Sequence, residues 1–239
     1  MDDKIKQFMG KETGLILAVV TACVFLASSA LAMSNDRAAV QGLVDRSRVT
    51  FSEFMRDPDL SWLHDNIDHA RGVLIFPQIL KGGLIWGGSG GTGVFLVRDE
   101  KTGGWSQPAF YTMGSVTFGF QIGGEVGEVV ILAMNQKAVD TLLSSSFKLG
   151  GDASLAVGPI GVGAKANASV PAVTADFVAF MKTKGLYGGL NLEGSIVSVR
   201  SSLNDAYYGK TVRPVDIIEK HDVNNPRSAE LRDSLKCKC

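Results

Sequence analysis

The chain has 239 residues, with 24 basic and 24 acidic side chains and a formal net charge of +0. That balance excludes a nucleic-acid partner recruited by bulk charge, and three cysteines are too few for a disulfide scaffold. The length suits one sizeable hydrophobic core rather than two.

Residues 1–32 read as an export segment. Lys4, Lys6 and Lys11 precede an apolar stretch from Leu15 to Leu26, and the small residues that follow end in Ala30-Leu31-Ala32, which fits an A-x-A cleavage site. Two alternatives use the same stretch. Leu15 to Ala32 approaches the roughly 20 residues that span a bilayer, so the segment would serve as an uncleaved anchor; and Val20-Thr21-Ala22-Cys23 resembles a lipobox, with Cys23 as the lipidated residue. Each alternative sends the protein out of the cytoplasm, to the periplasm or the outer membrane. Cleavage after Ala32 leaves 239 − 32 = 207 residues, read as one domain over 33–221 and a polar tail over 222–239. Cys237 and Cys239 on that tail lack the four ligands of a structural metal site, and no metal or other cofactor is expected.

From Asn35 to Met55, the residues Val40, Leu43, Val44, Phe51, Phe54 and Met55 recur at helical spacing, while Arg37, Arg46, Arg48 and Arg56 fall mostly elsewhere. The pattern predicts a basic amphipathic helix whose apolar stripe has two available fates, insertion at a bilayer surface or packing on a sheet. Asp57-Pro58 breaks it, and a second short helix starts near Asp59 or Ser61, with Leu60, Leu63, Ile67 and Ala70 on one side. After Arg71 the period becomes two, through Val73–Phe76 and Gly93–Val97, with a turn-rich connection from Asp99 to Gly104. Val116, Phe118, Phe120 and Ile122 then alternate with small or polar residues, as do Val162 to Val170. Between them Asn135 caps a helix, expected over 136–144, in which Ala138, Val139, Leu142 and Leu143 share a face. Between Gly104 and Phe180 there are only eight charged side chains, so the strands are expected to be covered on much of both faces. A short helix from Ser228 to Lys236 is expected to stay out of the core.

His64, His69 and His221 are the only histidines, and none lies in an H-E-x-x-H spacing or near a G-x-S-x-G elbow. Asp65 and His69, four apart, are either an acid/base couple or a local ion pair. The chain reads as non-catalytic, and a lipid hydrolase, the remaining enzymatic alternative, would need an activated serine beside a histidine. Gly88-Ser89-Gly90-Gly91-Thr92-Gly93 formally matches a dinucleotide fingerprint, but Val94–Val97 after it reads as a strand, not the helix a pyrophosphate needs. Two readings of these glycines remain, close backbone packing in strands and an anion-binding nest of bare N–H groups.

The ordered motifs Ala70-Arg71-Gly72-Val73-Leu74-Ile75-Phe76-Pro77, Lys81-Gly82-Gly83, Gly87 to Val94, Trp105-Ser106-Gln107-Pro108-Ala109-Phe110-Tyr111, Gly119 to Gly123, Gly150-Gly151-Asp152, Gly158 to Gly161, Lys184 to Ser195 and Tyr207-Tyr208-Gly209 together resemble the SYLF domain. The resemblance spans about residues 37–218. It implies non-catalytic binding of acidic phospholipids, phosphoinositides in the eukaryotic members, through a basic surface and an amphipathic N-terminal helix. Eukaryotic members often add SH3 or FYVE modules and meet actin and endocytic machinery; neither module is read here, and an export segment argues against cytoskeletal partners.

On this reading Phe51, Phe54 and Met55 insert into a bilayer while Arg46, Arg48 and Arg56 hold phosphates, each cation contributing about 1 kcal/mol. Arg71, Lys81, Arg98 and Lys148 are further candidates, each beside a glycine motif or at a predicted strand end. The expected partner is anionic phospholipid or a membrane surface. The expected architecture is α+β: two N-terminal helices on a bent, mostly antiparallel, glycine-rich sheet that curls toward a barrel, plus one mid-chain helix. A structural envelope protein or small outer-membrane β-barrel is the alternative that the alternating, charge-poor strands leave open.

Overall fold

The computed structural model describes residues 36–83, 86–99, 102–118, 123–160, 174–185 and 192–236. The export segment with Cys23, the predicted strand over 162–170, Phe120, Ile122, Cys237 and Cys239 lie outside them. The chain divides into two compact units, Met1–Ala39 and Val40–Cys239. Residues 36–39 of the first are helical.

The second unit opens with helix α1, residues 40–56. Its stripe of Val40, Leu43, Val44, Phe51, Phe54 and Met55 is buried as one continuous face. Ser47 interrupts the stripe at no cost because its hydroxyl donates to the Leu43 carbonyl at 2.8 Å. The helix stops at Asp57, whose side chain accepts from the Asp59 backbone and caps a 3-10 turn over Pro58–Leu60. Helix α2 follows, Ser61–Asn66.

The strands β1 (Gly72–Gly83), β2 (Trp86–Val97), β3 (Ala109–Phe118), β4 (Gly123–Ala133), β5 (Ser146–Lys148), β6 (Leu155–Val157), β7 (Phe177–Gly185) and β8 (Ile196–Val199) form one sheet in the order β5-β8-β3-β2-β1-β4-β7-β6. Every pairing is antiparallel except β6 with β7. The architecture is α+β with a curled half-barrel sheet, as expected. β1 lies between β2 and β4 although it contains Pro77, because both ladders shift register there and ask no hydrogen bond of the proline nitrogen.

Helix α3, Gln136–Leu143, starts where Asn135 accepts from the Ala138 backbone. Helices α4 (Ser201–Tyr208), α5 (Pro214–Ile218) and α6 (Ala229–Ser234) follow the last strand. α4 ends on Gly209 at φ 70°, a left-handed stop. The first half of the sheet is sandwiched: on one face Val73, Ile75, Val94, Leu96, Phe110, Val130 and Phe180 cluster with residues of α1, α2, α4 and α6. On the other, Leu74, Phe76, Phe95, Tyr111, Val129 and Ile131 cluster with residues of α3 and α5.

The C-terminal segment corrects the expectation of a tail outside the core. Val223, Leu231 and Leu235 are buried, and Gln107 from the β2–β3 connection donates to Asn224 at 2.7 Å and accepts from Ser228 at 2.9 Å. Leu231 and Leu235, one helical turn apart, join the core cluster beneath α1, and Val223 joins the one on the other face, so three apolar residues outweigh the segment's charge.

Candidate functional site

The ten side chains singled out above do not form one site. Phe51 and Phe54 are in the core, Phe54 at 0% exposure, with the Lys182 ammonium 4.9 Å over its ring. In this structure they are not available to a bilayer, which corrects the expectation that they insert: of the two fates open to an amphipathic stripe, the sheet has taken it. Arg46 on α1 is exposed, and Arg48 reaches Glu230 of α6 at 3.4 Å. Arg98 is held by the Ile67 carbonyl at 3.1 Å and Asp68 at 3.3 Å, and stacks over Trp105 at 4.7 Å. Its backbone donates to Arg71, so these two arginines share one end of the sheet. Lys81 lies 3.7 Å from Glu125. Lys148 is exposed on β5 and lines a cavity of about 290 Å³ with Gly150, Gly151, Glu193 and Gly194. Arg46 and Lys148 engage no ion pair among the described residues.

The glycine cluster is structural on one face. Gly88 to Gly93 lies wholly within β2, paired with β1 and β3, so its backbone serves the ladders rather than an anion nest or a pyrophosphate. A Cβ on Gly91 would collide with the Gln78 carbonyl, and one on Gly93 with the Ile75 carbonyl and the Phe76 ring. The opposite face behaves differently. A Cβ on Gly82 meets nothing within 4 Å, one on Gly90 would lie 3.5 Å from the Met113 carbonyl and one on Gly114 3.8 Å from that of Ser89. No packing in the fold demands glycine at these outward positions.

α1 covers this outward face only as far as Glu128, which accepts from Thr50 at 2.9 Å, and Lys182, which bonds Asp57 at 2.7 Å and the Glu53 carbonyl at 3.3 Å. That bond from Lys182 holds the Asp57 carboxyl below its usual range. Past this boundary no helix among the described residues covers the sheet. The ladder aligns Lys148, Ile196, Gly114, Gly90, Leu80, Val126 and Lys184 in one row from β5 to β7. Ile196 is 54% exposed, Leu80 55% and Val126 42%, and Val116 in the next row is 82% exposed. Directly behind, the inward row is polar: Ser89 and Ser115 hydroxyls lie 2.7 Å apart, and Glu125 is buried with Lys81 as its ion partner and no hydrogen bond to its oxygens.

Sequence reasoning missed this face. It placed Val116 on the apolar face of an alternating strand and expected cover on much of both faces, whereas here that apolar face points out and the polar face in. The available signal was the long Gly-rich, charge-free stretch itself; only the register shows that two lysines end its row.

Among the described residues no three His, Cys, Asp or Glu side chains gather to hold a metal ion. His64 contacts the Phe54 carbonyl at 3.1 Å. Asp176 is a buried, heavily bonded acid: burial pushes its carboxyl up, but Lys137 at 2.8 Å, the Ser154 backbone and hydroxyl, and Asn135 offset that and hold it below the carboxylate range. It ties the start of α3 to the residues that lead into β6 and β7.

A family profile described as Ysc84, "Las17-binding protein actin regulator", matches residues 114–237. The SH3 domain-containing YSC84-like protein 1 of Bos taurus is 33% identical over 165 residues, 69% of this chain and 47% of that protein. The LAS seventeen-binding protein 3 of Saccharomyces cerevisiae is 36% identical over 148 residues, 61% of this chain and 32% of that protein. The chain thus spans about half the length, or less, of these relatives. No solved structure matches it.

Proposed function

Taking as premise that the chain belongs to the Ysc84 family, the SYLF domain of the sequence resemblance, we propose that it is a non-catalytic protein that adheres to anionic phospholipid outside the cytoplasm. The observation that carries this reading is Lys148 on β5, an exposed cation without an ion partner among the described residues and set at the end of an exposed apolar row. Charges left open to solvent cost nothing to transfer to a lipid phosphate, and each contributes about 1 kcal/mol near an anionic surface. Arg71, Lys81 and Arg98 are weaker candidates, the last two because a carboxylate already engages them. Export rests on the lysine-flanked apolar stretch before Ala32.

The relatives' names speak of Las17 binding, actin regulation and SH3 domains. Those partners are not proposed here, because an exported chain would not meet them. Flotation of the full chain with anionic and neutral vesicles tests the reading. Anionic vesicles recover more protein at low salt, with the excess lost at high salt; equal recovery at both salts contradicts it. Mass measurement of the mature N-terminus tests export, with cleavage after Ala32 or lipidation of Cys23 expected.

A further inference from the structure

We infer that the surface resting on the bilayer is the uncovered half of the sheet, with Leu80, Val116, Val126 and Ile196 against the lipid and Lys148 beside them, and not helix α1. The inference rests on the anionic-lipid reading and assigns its contact face. Three observations support it.

The polarity of the strands is reversed in this region. Outward positions carry exposed aliphatic side chains, while the inward row holds the Ser89–Ser115 hydroxyl pair and the buried Glu125 with its part-buried partner Lys81. Apolar-out and polar-in is the pattern of strands that face lipid, and the opposite of strands that face water. Second, Gly82, Gly90 and Gly114 keep the face flat where the fold leaves room for a side chain. A flat face lets an extended planar surface come close along several strands at once.

Third, the charges choose among occupants. The row's charged positions are Lys148 at one end and Lys184 at the other, and no acidic residue stands in it. Two copies stacked face to face with their rows aligned, parallel or antiparallel, set lysine positions against lysine positions. An anionic bilayer meets the same pattern with opposite charge.

The test compares partition of the full chain between anionic phosphatidylglycerol-containing and neutral phosphatidylcholine vesicles for wild type, Leu80→Asp/Val116→Asp, Gly82→Leu and the control Val49→Asp on the exposed side of α1, with melting and solution mass measured alongside. All substituted positions are open to solvent, so melting stays unchanged. The double variant is expected to lower partition onto the anionic vesicles about tenfold or more, Gly82→Leu to raise it severalfold, and Val49→Asp to leave it as it is. A wild type without anionic preference would remove the lipid reading and this inference with it. A wild type that prefers anionic lipid while the double variant binds equally overturns the assigned face alone. If the double variant instead changes the solution mass and not the partition, the occupant is a second copy and the inference fails.

Discussion

The two halves of the sheet are built on opposite rules. In the half beside α1 and α3 both faces are apolar and covered, and inward glycines exist because a carbonyl or a ring occupies the space of their side chains. In the other half the outward face carries exposed aliphatic side chains, the inward face is polar, and a Cβ would fit at the outward Gly82, Gly90 and Gly114. The first half is what a folding sequence needs. The second would be a poor choice for stability in water, which directs attention to what it touches.

Substitutions can break that contrast. Phe54→Ala should cost about 3–5 kcal/mol in denaturant unfolding, because it empties a fully buried site. Val116→Ala should stay within about 0.5 kcal/mol, since its side chain is already in solvent; a comparable loss at both would mean the outer half is covered in solution. Asp176→Asn should cost about 2–3 kcal/mol by removing the charge that Lys137 and Ser154 bond. Because the Asp176 carboxyl is depressed in the folded state, its contribution is present above about pH 4 and lost as pH falls further. Unfolding at pH 7 and pH 3 checks this, with a smaller pH dependence expected in the variant.

The glycines sharpen the contrast. Gly93→Ala should destabilise by about 1–3 kcal/mol or more, its Cβ driven into backbone, whereas Gly90→Ala should be neutral or slightly stabilising. Thermal melts of the two single variants decide it. Glu125→Gln should lower stability by about 1–3 kcal/mol, since it leaves the part-buried Lys81 ammonium without its ion partner and puts an amide in the same unbonded, buried place. Arg48→Ala should have the smallest effect, below about 0.5 kcal/mol, because its partner Glu230 is mostly in solvent.

Legibility follows the same division. The helix stripe of Val40 to Met55, the Asn135 cap and the break at Asp57-Pro58 are local signals, and the structure has each where periodicity and capping place it. α4 and α5 were equally legible, through Gly209 after Tyr208 and Pro214 at a first turn, but were not read. The destination of Phe51 and Phe54 was not legible, since an amphipathic stripe looks alike whether a sheet or a bilayer receives it. Nor was the row from Lys148 to Lys184: it joins residues from seven strands, and only the register brings them into line. Alternation alone shows that a strand has two unlike faces, not which of them meets water.

The most direct test puts a polarity-sensitive fluorophore at Val116→Cys, or for comparison at Val49→Cys, in a chain whose own cysteines are replaced by serine. On adding anionic vesicles the account predicts a blue shift of emission at position 116 and none at position 49. A shift at 49 alone, or at neither position while the chain stays vesicle-bound, would contradict it.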